Sequence, residues 1–296
     1  MEKTCMVTVC GRPNVGKSTL TNAIVGEKIA IVSSKPQTTR NRITGIALYG
    51  ETQIVLLDTP GFIKPRNKLG EYMVGVVKAS AADVDCIVFV IEPSDAVGPG
   101  EKALIDSFRG SGIPVILAVN KIDTVTEKDA LLKVIAAYTA EFNFAAVVPI
   151  SAKNRDGIDI LLEEISKYAV EGPHLFPDDM ITDQPERQIC AEIIREKLLR
   201  NLEKEVPHGL AVEIDKFSER ENGIIDIDAT IFTEKSSHKG IIIGRNGAML
   251  NKIGREARED MEKLLDAKVF LQTWVKVKEN WRDSDFMLKN FGYFDN

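Results

Sequence analysis

Gly11, Arg12, Pro13, Asn14, Val15, Gly16, Lys17 and Ser18 spell G-x-x-x-x-G-K-S directly after the apolar run Met6 to Cys10, and from Thr19 a helix-period segment runs on to Gly26. A strand, a glycine-rich turn and a helix in that order make a phosphate cradle, because the glycines let backbone N–H groups curl around anionic oxygens at a helix N-terminus. Lys17 is then the cation that reaches the β and γ phosphates of a nucleotide, and the Ser18 hydroxyl suits Mg²⁺, which takes few protein ligands and keeps several waters.

A phosphate cradle does not choose a base. Further along stands Asn120-Lys121-Ile122-Asp123, in which the Asp123 carboxylate can accept from both N1–H and the exocyclic amine of guanine. Adenine has no such donor pair and would leave that carboxylate unpaired, which is where discrimination arises. Ser151-Ala152-Lys153, after the next apolar run, offers a backbone N–H to guanine O6. Asp58-Thr59-Pro60-Gly61 ends another apolar run, so that Asp58 can hold Mg²⁺ through water and Gly61 can approach the γ-phosphate. Between this motif and the cradle lies Pro36-Gln37-Thr38-Thr39-Arg40. A threonine hydroxyl there can complete the Mg²⁺ shell only while the γ-phosphate is present, and Thr39 is preferred to Thr38.

In this order the five motifs resemble the translation-factor-related GTPases, and within them the Era family. The resemblance implies GTP hydrolysis to GDP and phosphate, with Mg²⁺ as cofactor. Many GTPases carry a glutamine after the D-x-x-G glycine to orient the attacking water; here that position is Phe62, which cannot, and Era-like relatives similarly carry a hydrophobic residue. In some relatives an asparagine at the position of Asn14 is associated with potassium, implying a K⁺ that stabilises charge beside the phosphates. The other reading is that Asn14 hydrogen-bonds its own loop.

The elements that must position these residues are short. Met6 to Cys10, Ile43 to Tyr49, Ile54 to Leu57, Cys86 to Ile91, Val115 to Val119 and Val147 to Ile150 are continuous apolar runs, with helical patterns between most of them. Such runs indicate strands covered on both faces, hence an α/β fold with a doubly wound, mostly parallel sheet. Only Gly50 to Gln53 separate the second run from the third, too short for a parallel crossover and suited to an antiparallel hairpin. Residues 1–172 are expected to form this GTPase domain, 173–184 a linker marked by Pro173 and Pro177, and 185–296 a smaller α+β domain.

That second domain opens with an amphipathic helix from Ile189 to Leu202, followed by strand patterns at Leu210 to Phe217, Ile225 to Ile231 and Val269 to Val277. Between the last two lies Gly244-Arg245-Asn246-Gly247, preceded by Lys239, Gly240 and the apolar Ile241 to Ile243, and followed by a helical pattern from Ala248 to Leu265. From Lys235 to Arg258 there are six cations, Lys252 among them, against the single anion Glu256. A G-x-x-G flanked by helices, strands and positive charge fits a loop that brings backbone close to a phosphate chain. The element order resembles the bacterial-type KH fold, with Lys239, Gly240, Ile243, Gly244, Arg245, Asn246, Gly247 and Lys252 facing single-stranded RNA. Phe176-Pro177, Ile181-Thr182-Asp183, Glu192 to Lys197 and Trp274 to Lys278 also read like Era proteins. The resemblance thus covers nearly the whole chain. It implies binding to the 3′ end of small-subunit ribosomal RNA, a role in assembling that subunit, and weak contact with a membrane surface. Within the segment after Lys278, Trp281, Phe286, Phe291, Tyr293 and Phe294 are expected to pack rather than to stack on bases.

Composition narrows the class. The 296 residues are 44% hydrophobic and 28% charged, near soluble-protein averages, and the net charge of -6 hides the local basic stretch. Cys5, Cys10, Cys86 and Cys190 form no C-x-x-C pair and fit reduced thiols in a cytoplasmic protein. A monomer is the default. Two other readings stay open from the residues alone: an ATP-dependent P-loop enzyme, and an RNA-binding scaffold whose nucleotide is structural.

Overall fold

β1 (Lys3–Cys10) runs through the middle of a sheet in the order β2-β3-β1-β4-β5-β6. The other strands are β2 (Ile43–Tyr49), β3 (Thr52–Asp58), β4 (Cys86–Ile91), β5 (Val115–Val119) and β6 (Ala146–Pro149). This computed structural model describes residues 1–61, 67–80, 84–93 and 96–293.

Alternate residues of each central strand enter different cores. Val7, Val9, Leu56, Val88, Val90 and Ile116 pack against α1 (Lys17–Val25) and α5 (Ile158–Ser166). Leu57, Phe89, Ile91, Leu117 and Val119 pack on the other face against α3 (Pro99–Phe108) and α4 (Lys128–Glu141). Cover on both faces is why these strands carry no polar alternation. α2 (Lys68–Ser80) completes the helices of this half. Pairings along the sheet are parallel except that β2 and β3 form the expected antiparallel hairpin, and β7 (Val170–Glu171) adds a short antiparallel edge to β1. The motif residues follow the C-terminal ends of β1, β3, β5 and β6, the rim where doubly wound sheets bind ligands.

The stretch 173–183, within the expected linker, is hydrogen-bonded to the sheet. Gln53 donates to the Phe176 carbonyl at 2.8 Å and accepts from the Leu175 and Phe176 amides, while Ile46 N–H donates to Ile181 O at 2.9 Å and the Thr182 hydroxyl donates to Thr44 O at 2.7 Å. A buried Gln53, fully shielded from solvent in a strand, has to find partners, and a proline-containing segment with free carbonyls and amides supplies them. By compactness the first unit extends to Asp183, and the second begins at Gln184.

The second unit comprises 184–296 together with the short segments 31–38 and, among the described residues, 67–72. Its order is α6 (Glu186–Asn201), β8 (Leu210–Glu219), β9 (Ile225–Thr233), α7 (Ser236–Ile243), α8 (Ala248–Leu264), β10 (Val269–Val277) and α9 (Asp285–Asn290). β9 lies between antiparallel β8 and parallel β10, with α6, α7 and α8 contributing Ile193, Leu198, Ile242, Ile253, Ala257 and Met261 to one core with the sheet. α6 is not the two-faced helix expected. Besides the apolar Ile193, Ile194 and Leu198, its Arg195, Glu196 and Lys197 are buried, so its central turn is enclosed all round. After β10, Trp281 is fully buried, donates to Gly209 O at 3.0 Å, and packs with Phe291 and Tyr293, whereas Phe286 is exposed. Phe294 lies outside the described residues. All four cysteines are buried and unpaired with one another, and among the described residues no helix is long and apolar enough to cross a membrane.

Candidate nucleotide site and nucleic-acid interface

The cradle is built by backbone that only glycine can supply at its two ends. Gly16 has φ 101°, and a Cβ there would lie 2.2 Å from the side-chain nitrogen of Asn120; at Gly11, with φ 150°, it would lie 2.3 Å from the Val90 carbonyl. α1 begins immediately after Gly16 with no side chain capping it and no acid in its first turn, so its leading N–H groups are left for an anion. Lys17 is buried, with Nζ donating to the carbonyls of Gly11 (3.2 Å) and Arg12 (3.0 Å), and burial depresses its pKa despite the opposing pull of Asp58. The Arg12 side chain is turned away into an ion pair with Glu101 at 2.8 Å, leaving its backbone as its contribution to the cradle. Pro13 lies against Gly61, where an added Cβ would meet Pro13 at 2.8 Å; Asn14 is exposed with φ 66°, Val15 is buried, and Thr19 is half-buried within α1.

Asp58 is wholly shielded from solvent, and among the described residues neither of its carboxylate oxygens has a hydrogen-bond partner. Burial pushes this carboxyl up to about 6; Lys17 and, more weakly, the Ser18 hydroxyl pull the other way without either making a hydrogen bond to it. An orphaned buried carboxylate beside an ammonium and a phosphate cradle fits a place for a hard cation. The Thr39 hydroxyl completes the donor set, 2.8 Å from that of Ser18, while Thr38 turns into its own loop and donates to Lys35 O at 2.6 Å. Thr59, also buried, anchors the segment by donating to Val9 O at 2.9 Å, with buried Pro60 after it. Phe62 lies outside the described residues.

Asn120 links the cradle to the base side. Its side chain donates to Val15 O and accepts from Ala152 N–H, both at 2.9 Å. Of the backbone N–H groups of Ser151-Ala152-Lys153, one of which is expected toward guanine O6, that of Ala152 is engaged by Asn120 and that of Ser151 by Asp156 O, while that of Lys153 has no partner among the described residues. Lys121, at φ 65°, bonds Asn14 O (2.6 Å) and Glu92 (2.7 Å). Ser151 is a member of the site whose role sequence spacing did not reveal: its hydroxyl donates to Asp123 at 2.7 Å, fixing the carboxylate expected to face the base.

In the second unit the G-x-x-G loop joins α7 to α8. Gly244 (φ 73°) and Gly247 (φ 79°) are both left-handed, and a Cβ on Gly244 would lie 2.7 Å from that of Met249. Arg245 and Asn246 are exposed at the turn, Lys239 is half-buried and Gly240 exposed on α7, Ile243 packs against the core, and Lys252 stands on α8, 3.8 Å from Glu256. Beside the loop an open groove of about 280 Å³ is lined by Leu250, Gly254, Arg255 and Arg258 of α8 and by Phe270 and Leu271 of β10. Among the described residues β10 pairs with β9 alone, so it is an edge strand of its sheet, and its Phe270 and Leu271 line this groove.

A family profile described as "50S ribosome-binding GTPase" matches residues 6–121, and one described as "KH domain" matches 205–282. GTPase Era of Ruminiclostridium cellulolyticum is 54% identical over 99% of this chain and 98% of its own, and GTPase Era of Clostridioides difficile is 52% identical over the full length of both. The chain belongs to the Era family of GTPases. Solved Era structures agree over the whole length. One, 37% identical with a TM-score of 0.95 over 99% of each chain, is a complex with MgGDPNP and nucleotides 1506-1542 of 16S ribosomal RNA. Another, an Aquifex aeolicus Era variant bound to GDP and aluminium fluoride, is 38% identical with a TM-score of 0.94 over 98% of this chain and 99% of its own. The α/β GTPase domain followed by a KH domain is therefore established for this chain as its family architecture.

Proposed function

We propose that this Era-family GTPase is a switch in which the state of the nucleotide governs how a KH domain, 184–296, holds single-stranded RNA, with the 3′ end of small-subunit ribosomal RNA as its target during assembly of that subunit. The observation that carries the reading is the convergence of Ser18, Thr39 and the unpartnered Asp58 beside the phosphate cradle, because these groups can distinguish a nucleotide with a γ-phosphate from one without. Ser18 and Thr39 would hold Mg²⁺ directly and Asp58 through water; the ion, when bound, neutralises charge on the phosphate oxygens. Lys17 and the N–H groups of the cradle bind and orient the phosphates. Asp123, held by Ser151, selects guanine. We assign Asn14, in its left-handed position on the cradle, to a K⁺ that would supply charge where Phe62 supplies no water-orienting group.

On the RNA side, the Gly244 to Gly247 turn would take the phosphate chain while bases lie in the groove between α8 and β10, against Phe270 and Leu271 of that edge strand, with Arg255 and Arg258 as counter-charges. The 16S complex of the Era relative supports ribosomal RNA as the target. The buried Trp281 and Tyr293 and the half-buried Phe291 are committed to packing, so no membrane contact enters this proposal.

GTP turnover by the purified chain, with ATP as competitor, tests the nucleotide half. GTP should be hydrolysed in the presence of a large excess of ATP, and Lys17→Ala should lose tight binding because the phosphates lose their paired cation. Equal competition by ATP would contradict the guanine assignment, and tight binding retained by Lys17→Ala would contradict the cradle.

A further inference from the structure

Arg195, Glu196 and Lys197 are consecutive, charged and buried, with 1%, 0% and 5% exposure. Burying three neighbouring charges is unfavourable unless each is paired, and truncating one partner of such a set leaves an uncompensated charge inside the protein. Arg195 and Glu196 find partners in the segment 31–38, which leads directly into Thr39. The Arg195 guanidinium donates to Gln37 O at 3.2 Å and to Thr38 O, and is itself held by Glu192. Glu196 accepts the Val32 N–H at 2.9 Å and is charge-balanced by Lys197 at 3.1 Å and Arg200 at 2.9 Å. Arg200 also donates to Val32 O, at 3.3 and 3.1 Å from its two nitrogens, and Lys35 donates to Leu202 O. Both ends of this segment are thus pinned to α6, and the pinning at its far end is to the two carbonyls immediately before Thr39.

We propose that Arg195, supported by Glu196 and Arg200, is a positioning residue for GTP hydrolysis: it fixes the backbone from which Thr39 presents its hydroxyl beside Ser18. The proposal rests on the reading of Thr39 as part of the γ-phosphate-sensing Mg²⁺ site. A planar guanidinium suits two adjacent carbonyls because its fork donates in fixed directions, which an ammonium cannot reproduce. Lys197 extends the set to Asp260 on α8, the helix that follows the G-x-x-G loop.

The test compares the full-length chain with Arg195→Gln, Thr39→Ala and the double variant, in GDP binding and in single-turnover GTP hydrolysis across a Mg²⁺ titration. Arg195→Gln should keep GDP affinity within about twofold, slow hydrolysis about tenfold and raise several-fold the Mg²⁺ needed for half-maximal rate, as expected for losing charge-assisted hydrogen bonds that act only through Thr39. Arg195→Lys should recover part of the rate. The double variant should be no slower than Thr39→Ala, because both changes remove the same contribution. Hydrolysis by Arg195→Gln indistinguishable from the unaltered chain would overturn the proposal, as would losses that multiply in the double variant or a parallel collapse of GDP affinity. If Thr39→Ala alone leaves hydrolysis unchanged, the reading of Thr39 falls and takes the proposal with it. Should Arg195→Gln not fold, the half-exposed Arg200 serves instead: Arg200→Ala should slow hydrolysis about two- to threefold with the same Mg²⁺ signature, the size expected for one partly solvated contact, and no change would overturn the proposal.

Discussion

Asp58 and Asp123 are both carboxylates at strand ends, yet their surroundings give them opposite properties. Asp58 is buried without a partner and has its pKa raised to about 6 from 3.8; Asp123 is exposed and held by the Ser151 hydroxyl. A carboxyl whose folded-state pKa is raised adds stability below its unfolded pKa, and that contribution is lost as pH rises through the folded value. The nucleotide-free, metal-free protein should therefore melt lower at pH 7.5 than at pH 5, by the equivalent of about 1–1.5 kcal/mol for this one group, because at pH 5 the folded carboxyl is only about one pH unit below its raised value. Thermal scans of the unaltered chain and Asp58→Asn check this: the Asn variant should lose most of that slope, and identical slopes would show that the carboxyl is not strained by burial. At the other aspartate, Asp123→Asn should weaken GTP and admit xanthosine nucleotides, because an amide can donate to the xanthine oxygen where the carboxylate could only accept; competition binding measures it. The residues of the cradle and the base motif were legible in the sequence because each works within a few positions of its own turn. Ser151 as the holder of Asp123, and Arg195 as the holder of Gln37 and Thr38, were not, since their partners are far away in the chain and spacing cannot encode them.

Elements were legible where hydrophobic period and packing agree. The continuous runs became strands buried on two faces, the four-residue gap became the β2–β3 hairpin, and the helix, strand, strand, helix, G-x-x-G, helix, strand order reappears in α6 to β10. Periodicity failed at α6, whose charged positions look wet in sequence but are enclosed and paired, and it says nothing at 173–183, where no pattern in the chain foretells that Gln53 and β2 bond the linker's backbone. The loop between α7 and α8 yields its own prediction. Gly244 cannot take a side chain without striking Met249, but a Cβ on Gly247 meets only the Asn251 side chain, at 3.7 Å. Aspartate tolerates the left-handed conformation better than most residues, so Gly247→Asp isolates charge from steric damage. RNA affinity should fall by about tenfold or more through repulsion of the phosphate chain, while GTP hydrolysis stays unchanged. Filter or fluorescence binding with the same preparation used for turnover decides it, and unaltered RNA affinity would remove the loop from the interface. Trp281→Ala, by emptying a site packed by Phe291 and Tyr293 and orphaning the Gly209 carbonyl, should destabilise the second unit by about 3–5 kcal/mol in denaturant unfolding.

Across the whole molecule, each activity has its own compact unit, and compactness assigns the second unit not only the KH residues but also 31–38 and 67–72, which flank the γ-phosphate-sensing motifs in sequence. On the proposed switch reading, in which the nucleotide state governs RNA binding, linkage makes the effect reciprocal: whatever factor GTP adds to RNA affinity, RNA adds to GTP affinity. The most direct test measures binding of the purified chain to short single-stranded RNAs ending like the small-subunit 3′ terminus, with GDP and with a non-hydrolysable GTP analogue. The switch account predicts tighter binding of that RNA with the analogue than with GDP, and weaker binding of unrelated RNA in both states. Equal affinity in the two states would contradict it, leaving a nucleotide that stabilises the fold without instructing the RNA site.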